Sequence, residues 1–177
     1  MDALIVVDMQ NDFCSGGALE VPEGDAVIEP INQLLERSSF VVATRAWHPP
    51  DHASFAVNGG PWPMHCVQGS AGAELHPRIK HERIDVVVDA GRTRDAEGYS
   101  GFEQTELERL LRRHAVDRVH VGGLALDYCV KATALDAQRA GFEVVLHRDA
   151  TRAVEVKPGD GERALRELRK AGVQIVN

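Results

Sequence analysis

The stretch Gly122–Thr133, reading Gly-Gly-Leu-Ala-Leu-Asp-Tyr-Cys-Val-Lys-Ala-Thr, decides the fold. Before it runs Arg118–Val121, short and β-branched. After it comes Ala132–Ala140, rich in Ala, Leu, Gln and Arg and ended by Gly141. A buried strand passing directly into a helix is the joint of an α/β sheet. Asp127 stands where an N-cap belongs, and Cys129 falls in the first helical turn. There, unpaired backbone N–H groups and the positive end of the helix dipole favour a thiolate. A cysteine so placed is a candidate nucleophile; the alternative is a small buried residue filling space.

The same pattern recurs on both sides of this joint. Ala3–Val7 is a continuous apolar run of strand length, as expected of a strand buried on both faces. Phe40–Thr44, Ile84–Val88, Phe142–Leu146 and Val173–Val176 read as further strands. Between them, Asp25–Arg37, Glu106–His114 and Glu162–Lys170 carry helical spacing. Pro30 blurs the first turns of Asp25–Arg37, and Thr105 with Glu108 forms a capping box for Glu106–His114. His147–Gly161 reads as a connecting loop, and Arg45–His81 as a long Pro-, Gly- and His-rich one, a length that usually serves function. Alternating strands and helices predict an α/β protein, three layers α/β/α around a mostly parallel central sheet, in a single domain over residues 1–177. Reactive groups in such sheets gather beyond the C-terminal strand ends, where Asp8, Arg45–His48, Asp89 and Cys129 would lie.

Composition narrows the class. The 177 residues carry a formal net charge of −7, which argues against a nucleic-acid surface. Three cysteines make no disulfide framework, so reduced thiols and a cytoplasmic location are expected. No basic segment precedes an apolar run at the N-terminus, and no apolar run reaches membrane-spanning length, so neither a signal peptide nor a membrane partner is expected.

Several side chains invite chemistry. Asp8 ends a buried strand beside the Cys129 joint and could take a thiol proton and pass it to a leaving amine; it could equally cap the next turn. His48, His52 and His65 share one loop and suggest a metal site with open positions, with Asp51 as a further ligand or an orienting partner; scattered surface histidines are the alternative. Phe13 and Trp62 are loop aromatics able to sandwich a flat ring, while Trp47 and Phe55 suit a lid packed on the core. Cys14 and Cys66 have no assignable partner in the sequence and read as structural.

Taken together, Asp8–Phe13 (D-x-Q-x-D-F), Gly16–Leu19 (G-G-A-L), Trp47–His52 (W-H-P-P-D-H), Ser54–Phe55, Trp62–Cys66 (W-P-x-H-C), Tyr99–Phe102 (Y-S-G-F) and the run Asp127–Ala137 resemble the nicotinamidase branch of the isochorismatase-like cysteine hydrolases. The resemblance spans nearly the whole chain, with the motifs in the family's order. It implies a Rossmann-like fold and hydrolysis of nicotinamide, or a related small amide, to the acid and ammonia through a Cys thioester. Asp8 matches the family's acid/base and Cys129 its nucleophile. His48, His52 and His65 match its ligands for a divalent metal, zinc first, with iron or manganese as alternatives. Phe13 and Trp62 match the aromatics that hold the ring, and Leu124 and Tyr99 stand in the substrate-binding motifs. The backbone N–H groups of Ala125 and Cys129 match the oxyanion hole, and Leu124–Ala125 matches the family's cis peptide. The expected partner is thus a small-molecule amide, with homo-oligomers through an edge strand such as Val173–Val176 a further expectation.

Three positions depart from the family. Ala46 replaces the Asp of D-W-H, which removes a carboxylate ligand and should weaken metal binding. Ala90, preceded by Asp89, replaces the catalytic Lys, and no lysine lies between Lys80 and Lys131. A fixed positive charge near the thiol and the developing oxyanion is therefore missing, unless Arg92 or Arg94 reaches in. Leu126 replaces a Thr in A-T-D-Y-C. These changes leave two other readings: a family member with a changed substrate, or an impaired protein that only binds a small molecule.

Overall fold

The computed structural model describes all residues, Met1–Asn177. Six strands form one sheet in the order β3-β2-β1-β4-β5-β6, every pairing parallel: β1 Asp2–Val7, β2 Val41–Ala46, β3 Val86–Ala90, β4 Arg118–Leu124, β5 Glu143–Arg152 and β6 Gln174–Val176. The apolar runs explain the parallel sheet, because alternate residues bury into opposite cores. Ile5, Val7, Val42, Val119 and Val121 pack on one face against Leu107 and Leu111 of α2 (Leu107–Arg113), Ala134 and Ala137 of α3 (Lys131–Arg139), and Leu165 and Leu168 of α4 (Asp160–Lys170). Leu4, Val6, Val41 and Ala43 pack on the other against Ile28, Ile31 and Leu35 of α1 (Ile28–Arg37) and the loops around Phe13, Val21 and Cys66. No helix is long and apolar enough to cross a membrane.

The strand order makes the site. The chain runs outward from β1 through β2 to β3, then returns to the other side of β1 for β4, β5 and β6. The direction of winding therefore reverses between β1 and β4, and a crevice opens beyond their C-terminal ends. Val7 of β1 pairs with Gly123 of β4, so the residues that follow, Asp8 and Ala125–Cys129, leave the sheet side by side. Gly123 allows that approach: it has φ +125, and a Cβ there would collide with the Val7 carbonyl.

Three local expectations are corrected. The joint after β4 is a wide π-type turn over Leu126–Val130 before α3, so Asp127 caps no helix; its carboxylate accepts hydrogen bonds from the backbone N–H of Val154 (2.9 Å) and Glu155 (3.0 Å) instead. The capping box is not formed: Thr105 Oγ1 accepts from Leu107 N, while Glu108 pairs with Arg112 one turn on. The segment after Leu146 is not loop but the continuation of β5, which resumes pairing at Thr151 opposite Gly123 after a bulge. The polar bulge residues broke the apolar run, and the sequence pattern ended the strand there.

Candidate active site

Asp8 sits directly after β1, 3% exposed and with φ +48, a left-handed conformation rare for a residue with a side chain. Its Oδ1 accepts a 2.6 Å hydrogen bond from Thr44 Oγ1 at the corresponding level of β2, and its carboxylate also meets the Cys129 thiol. Burial pushes the Asp8 carboxyl from 3.8 up to about 6, with the hydrogen bonds from Thr44 and Cys129 holding it back. Burial likewise pushes the Cys129 thiol well above its ordinary value, helped by the charge and hydrogen bond of Asp8 and by Cys66; the Ala125 backbone N–H, facing the sulfur, pulls the other way. No cation counters this. Arg94 pairs with Asp95 at 2.9 Å and lies 3.9 Å from Asp51 on the surface, Arg92 is exposed, and Asp89 is held by Arg45. Neither arginine therefore takes the place of a lysine at position 90. Asp51, largely exposed beside Arg94, acts on neighbouring His52 through its charge.

The three histidines do come together. His48 stacks on His52 with ring centroids 3.9 Å apart and meets His65 edge-on at 5.2 Å, and Phe55 packs against all three rings at 5.5–5.9 Å. His48 Nδ1 lies 2.9 Å from Gly91 O, and His65 Nδ1 lies 2.8 Å from Pro63 O. Each carbonyl can only accept, so each Nδ1 carries the proton and each neutral ring keeps a free lone pair on Nε2. A glycine is needed at 91, where a Cβ would strike the His48 imidazole. His52 Nδ1 lies 2.7 Å from Ser54 Oγ, and its buried Nε2 has no partner. Burial lowers all three histidines, His48 to about 4, so they are neutral near pH 7, the form that binds metal. An orphaned buried nitrogen in a set of neutral imidazoles fits a divalent ion. No three His, Cys, Asp or Glu side chains converge as a finished coordination shell, however, and position 46 adds no carboxylate. Ala46 is instead clamped by Gln10, whose amide bonds both its N–H (2.9 Å) and its carbonyl (2.7 Å).

Between these two groups lies a pocket of about 470 Å³, mouth included. Phe13, Trp62, Tyr99 and Tyr128 supply aromatic walls, Leu19, Val21 and Val154 aliphatic ones, and Cys129, Ala125, His48 and His65 the floor; no Lys or Arg lines it. Trp62 Nε1 donates to Tyr99 Oη (2.9 Å), and the Trp62 ring meets Tyr128 edge-on at 5.0 Å. Leu124, fully buried, packs in the core outside the pocket, and Asp8 and His52 lie behind its wall. The Leu124–Ala125 peptide is cis.

Sequence reasoning missed Tyr128, Val154, Thr44 and the setting of Cys66. Thr44 left a signal, a lone hydroxyl ending a buried apolar run. Val154 left none, since only the course of β5 brings it round. Cys66, read as without partners, has its N–H held by Asp12 (2.7 Å) and lies within the electrostatic reach of Asp8 and Cys129.

The isochorismatase domain matches residues 2–177, essentially the whole chain. The chain belongs to the isochorismatase family. Within that family it is 40% identical to the nicotinamidase of Escherichia coli, over 98% of this chain and 93% of that one. The crystal structure of the pyrazinamidase of Pyrococcus horikoshii in complex with zinc is 50% identical and superposes with a TM-score of 0.93, covering 99% of this chain and 98% of the other. An L. infantum structure in complex with nicotinate is 43% identical with a TM-score of 0.96, covering 100% and 92%.

Proposed function

We propose that this isochorismatase-family protein is an amidohydrolase that converts nicotinamide, or a closely similar aromatic amide, to the acid and ammonia. The observation that carries the reading is the contact of buried Asp8 with Cys129, whose thiol lies at the floor of an aromatic-walled pocket. High identity over nearly full length to a nicotinamidase, and a nicotinate complex of a similar structure, support it.

The residues imply a sequence of steps. An aromatic ring enters between Phe13 and Trp62, with Tyr99 fixing the indole through its hydroxyl. The amide carbon comes over Cys129, and its oxygen meets the backbone N–H groups of Ala125 and Cys129. Because burial and Asp8 disfavour a free thiolate, the proton leaves sulfur as sulfur attacks, and ionised Asp8 receives it. The tetrahedral adduct expels ammonia, protonated by Asp8, and leaves a thioester on Cys129. Water then attacks with Asp8 again as base, releasing the acid and the thiol. His48, His52 and His65 would hold a divalent ion, zinc first, and such an ion when bound lowers the pKa of a water molecule. Ala46 in place of a carboxylate weakens that affinity. The free state of all three cysteines suits a reducing compartment such as the cytoplasm.

Mass spectrometry of acid-quenched reactions tests the path. Wild-type protein mixed with nicotinamide should carry a nicotinoyl group on the peptide containing Cys129, and Asp8→Asn should not. A nicotinoyl group on any other residue, or turnover by Asp8→Asn at the wild-type rate, would overturn it.

A further inference from the structure

At the opposite end of the sheet from the pocket, two histidines face each other across neighbouring strands. His120 of β4 and His147 of β5 approach with Nδ1 and Nε2 2.9 Å apart. The other nitrogen of His120 lies 3.3 Å from Asp2 Oδ2. His147 is the first residue of the β5 bulge: pairing stops at Leu146 opposite Val121 and resumes at Thr151 opposite Gly123. A bulge re-aims a side chain, and here an imidazole is brought to its neighbour's ring. Both rings border a cleft of about 870 Å³, mouth included, between the sheet and the C-terminal end of α1, with Gln33, Arg37 and Asp149 around it.

We propose that His120 and His147 form a second metal site, a two-imidazole clamp for a divalent transition ion. Asp2 can only accept, so it fixes the His120 proton on Nε2 and leaves a lone pair on Nδ1 directed at His147. This carboxylate–histidine arrangement is the one that orients and strengthens a metal-bound imidazole. The two facing nitrogens are now bridged by one proton. An ion takes its place when His147 carries its own proton on Nδ1 instead, so two neutral imidazoles donate lone pairs and no proton is released. Bonds of about 2.0–2.1 Å at tetrahedral angles set nitrogens about 3.3 Å apart, a few tenths of an ångström beyond the present gap. His147 is pushed below its ordinary value by burial, then by His120, so it is neutral near pH 7. Asp2 and Asp149 give the cleft negative charge against the single cation Arg37, while Arg118 pairs with Asp2 at 3.6 Å and with Glu143 at 2.7 Å outside it. No third protein ligand converges, so the cleft supplies water for the remaining positions. Imidazole ligands with open water positions favour copper(II), then nickel or zinc.

The site stands independently of the reading of the active site, and the test keeps them apart. Chelator-stripped His52→Ala/His65→Ala protein is titrated with copper(II) and followed by electron paramagnetic resonance and calorimetry. One equivalent with hyperfine structure from two nitrogens is expected. Adding His147→Asn to that variant should abolish the signal or weaken binding at least tenfold, with the melting curve unchanged. In the otherwise native protein, His147→Asn should leave ammonia release intact. Copper binding that persists unaltered after His147→Asn, or no binding by the parent variant, would overturn the proposal. Should His147→Asn unfold the chain, paramagnetic broadening of the His120 and His147 ring resonances in the native protein decides instead, its absence being the contrary result.

Discussion

Replacing Thr44 by valine should move the acid limb of activity without removing the reaction. Thr44 is 1% exposed, and its hydroxyl gives Asp8 a 2.6 Å hydrogen bond. Asp8 lies near 6 because burial lifts it while this bond and that of Cys129 restrain the rise. A hydrogen bond to a charged group is worth about 1.5–3 kcal/mol, and one pKa unit is about 1.4 kcal/mol. Losing it should raise Asp8 by about one to two units, to roughly 7–8. Asp8 and Cys129 are in contact, so the limb belongs to the pair, but its first ionisation is that of the carboxyl. The assay is kcat/KM for ammonia release from pH 5 to 9. Native protein should gain activity through about pH 6. Thr44→Val should do so one to two units later and recover most of its rate at alkaline pH. An unmoved limb, or a uniform loss at every pH, would refute Asp8 as the base whose ionisation Thr44 supports.

Other outcomes follow from the same geometry. Asp8 is raised in the folded state, so its stabilising contribution is complete below 3.8 and lost as pH rises through about 6. Asp8→Asn should therefore stabilise the protein at pH 7.5 by up to about 3 kcal/mol while removing turnover; urea unfolding at pH 7.5 and pH 4 checks this, since the gain should vanish at the lower pH. Ala46→Asp should raise zinc affinity by at least about tenfold through an added anionic ligand, measured by competition with a chelating dye. Ala90 is buried at the end of β3 and pairs with Ala46, which lines the pocket beside Cys129, so Ala90→Lys should lower the thiol pKa, seen as alkylation of Cys129 at lower pH, and raise kcat by about 10²-fold or more. Trp62→Ala should raise KM for nicotinamide several-fold with a smaller change in kcat, because the indole lines the pocket wall and would meet the ring rather than the reacting carbon.

The sheet was legible because burial on both faces leaves a plain mark, runs such as Ala3–Val7 without alternation. The strand order then brought Asp8 and Cys129 together. What stayed illegible depended on contacts far apart in the chain. Asp127 looked like a cap because caps are local, yet its partners Val154 and Glu155 arrive from beyond β5. The bulge after Leu146 looked like a loop because its residues are polar, and the His120–His147 contact exists only through it. The histidines 48, 52 and 65 were grouped by one loop, but the carbonyls of Gly91 and Pro63 that orient their rings could not be read from spacing.

The most direct measurement is ammonia release from nicotinamide by chelator-treated protein, repeated with zinc, manganese or iron, with Cys129→Ala alongside. Release should disappear in Cys129→Ala and rise when metal is restored. No release under any metal, or release that survives in Cys129→Ala, would contradict catalysis by Cys129.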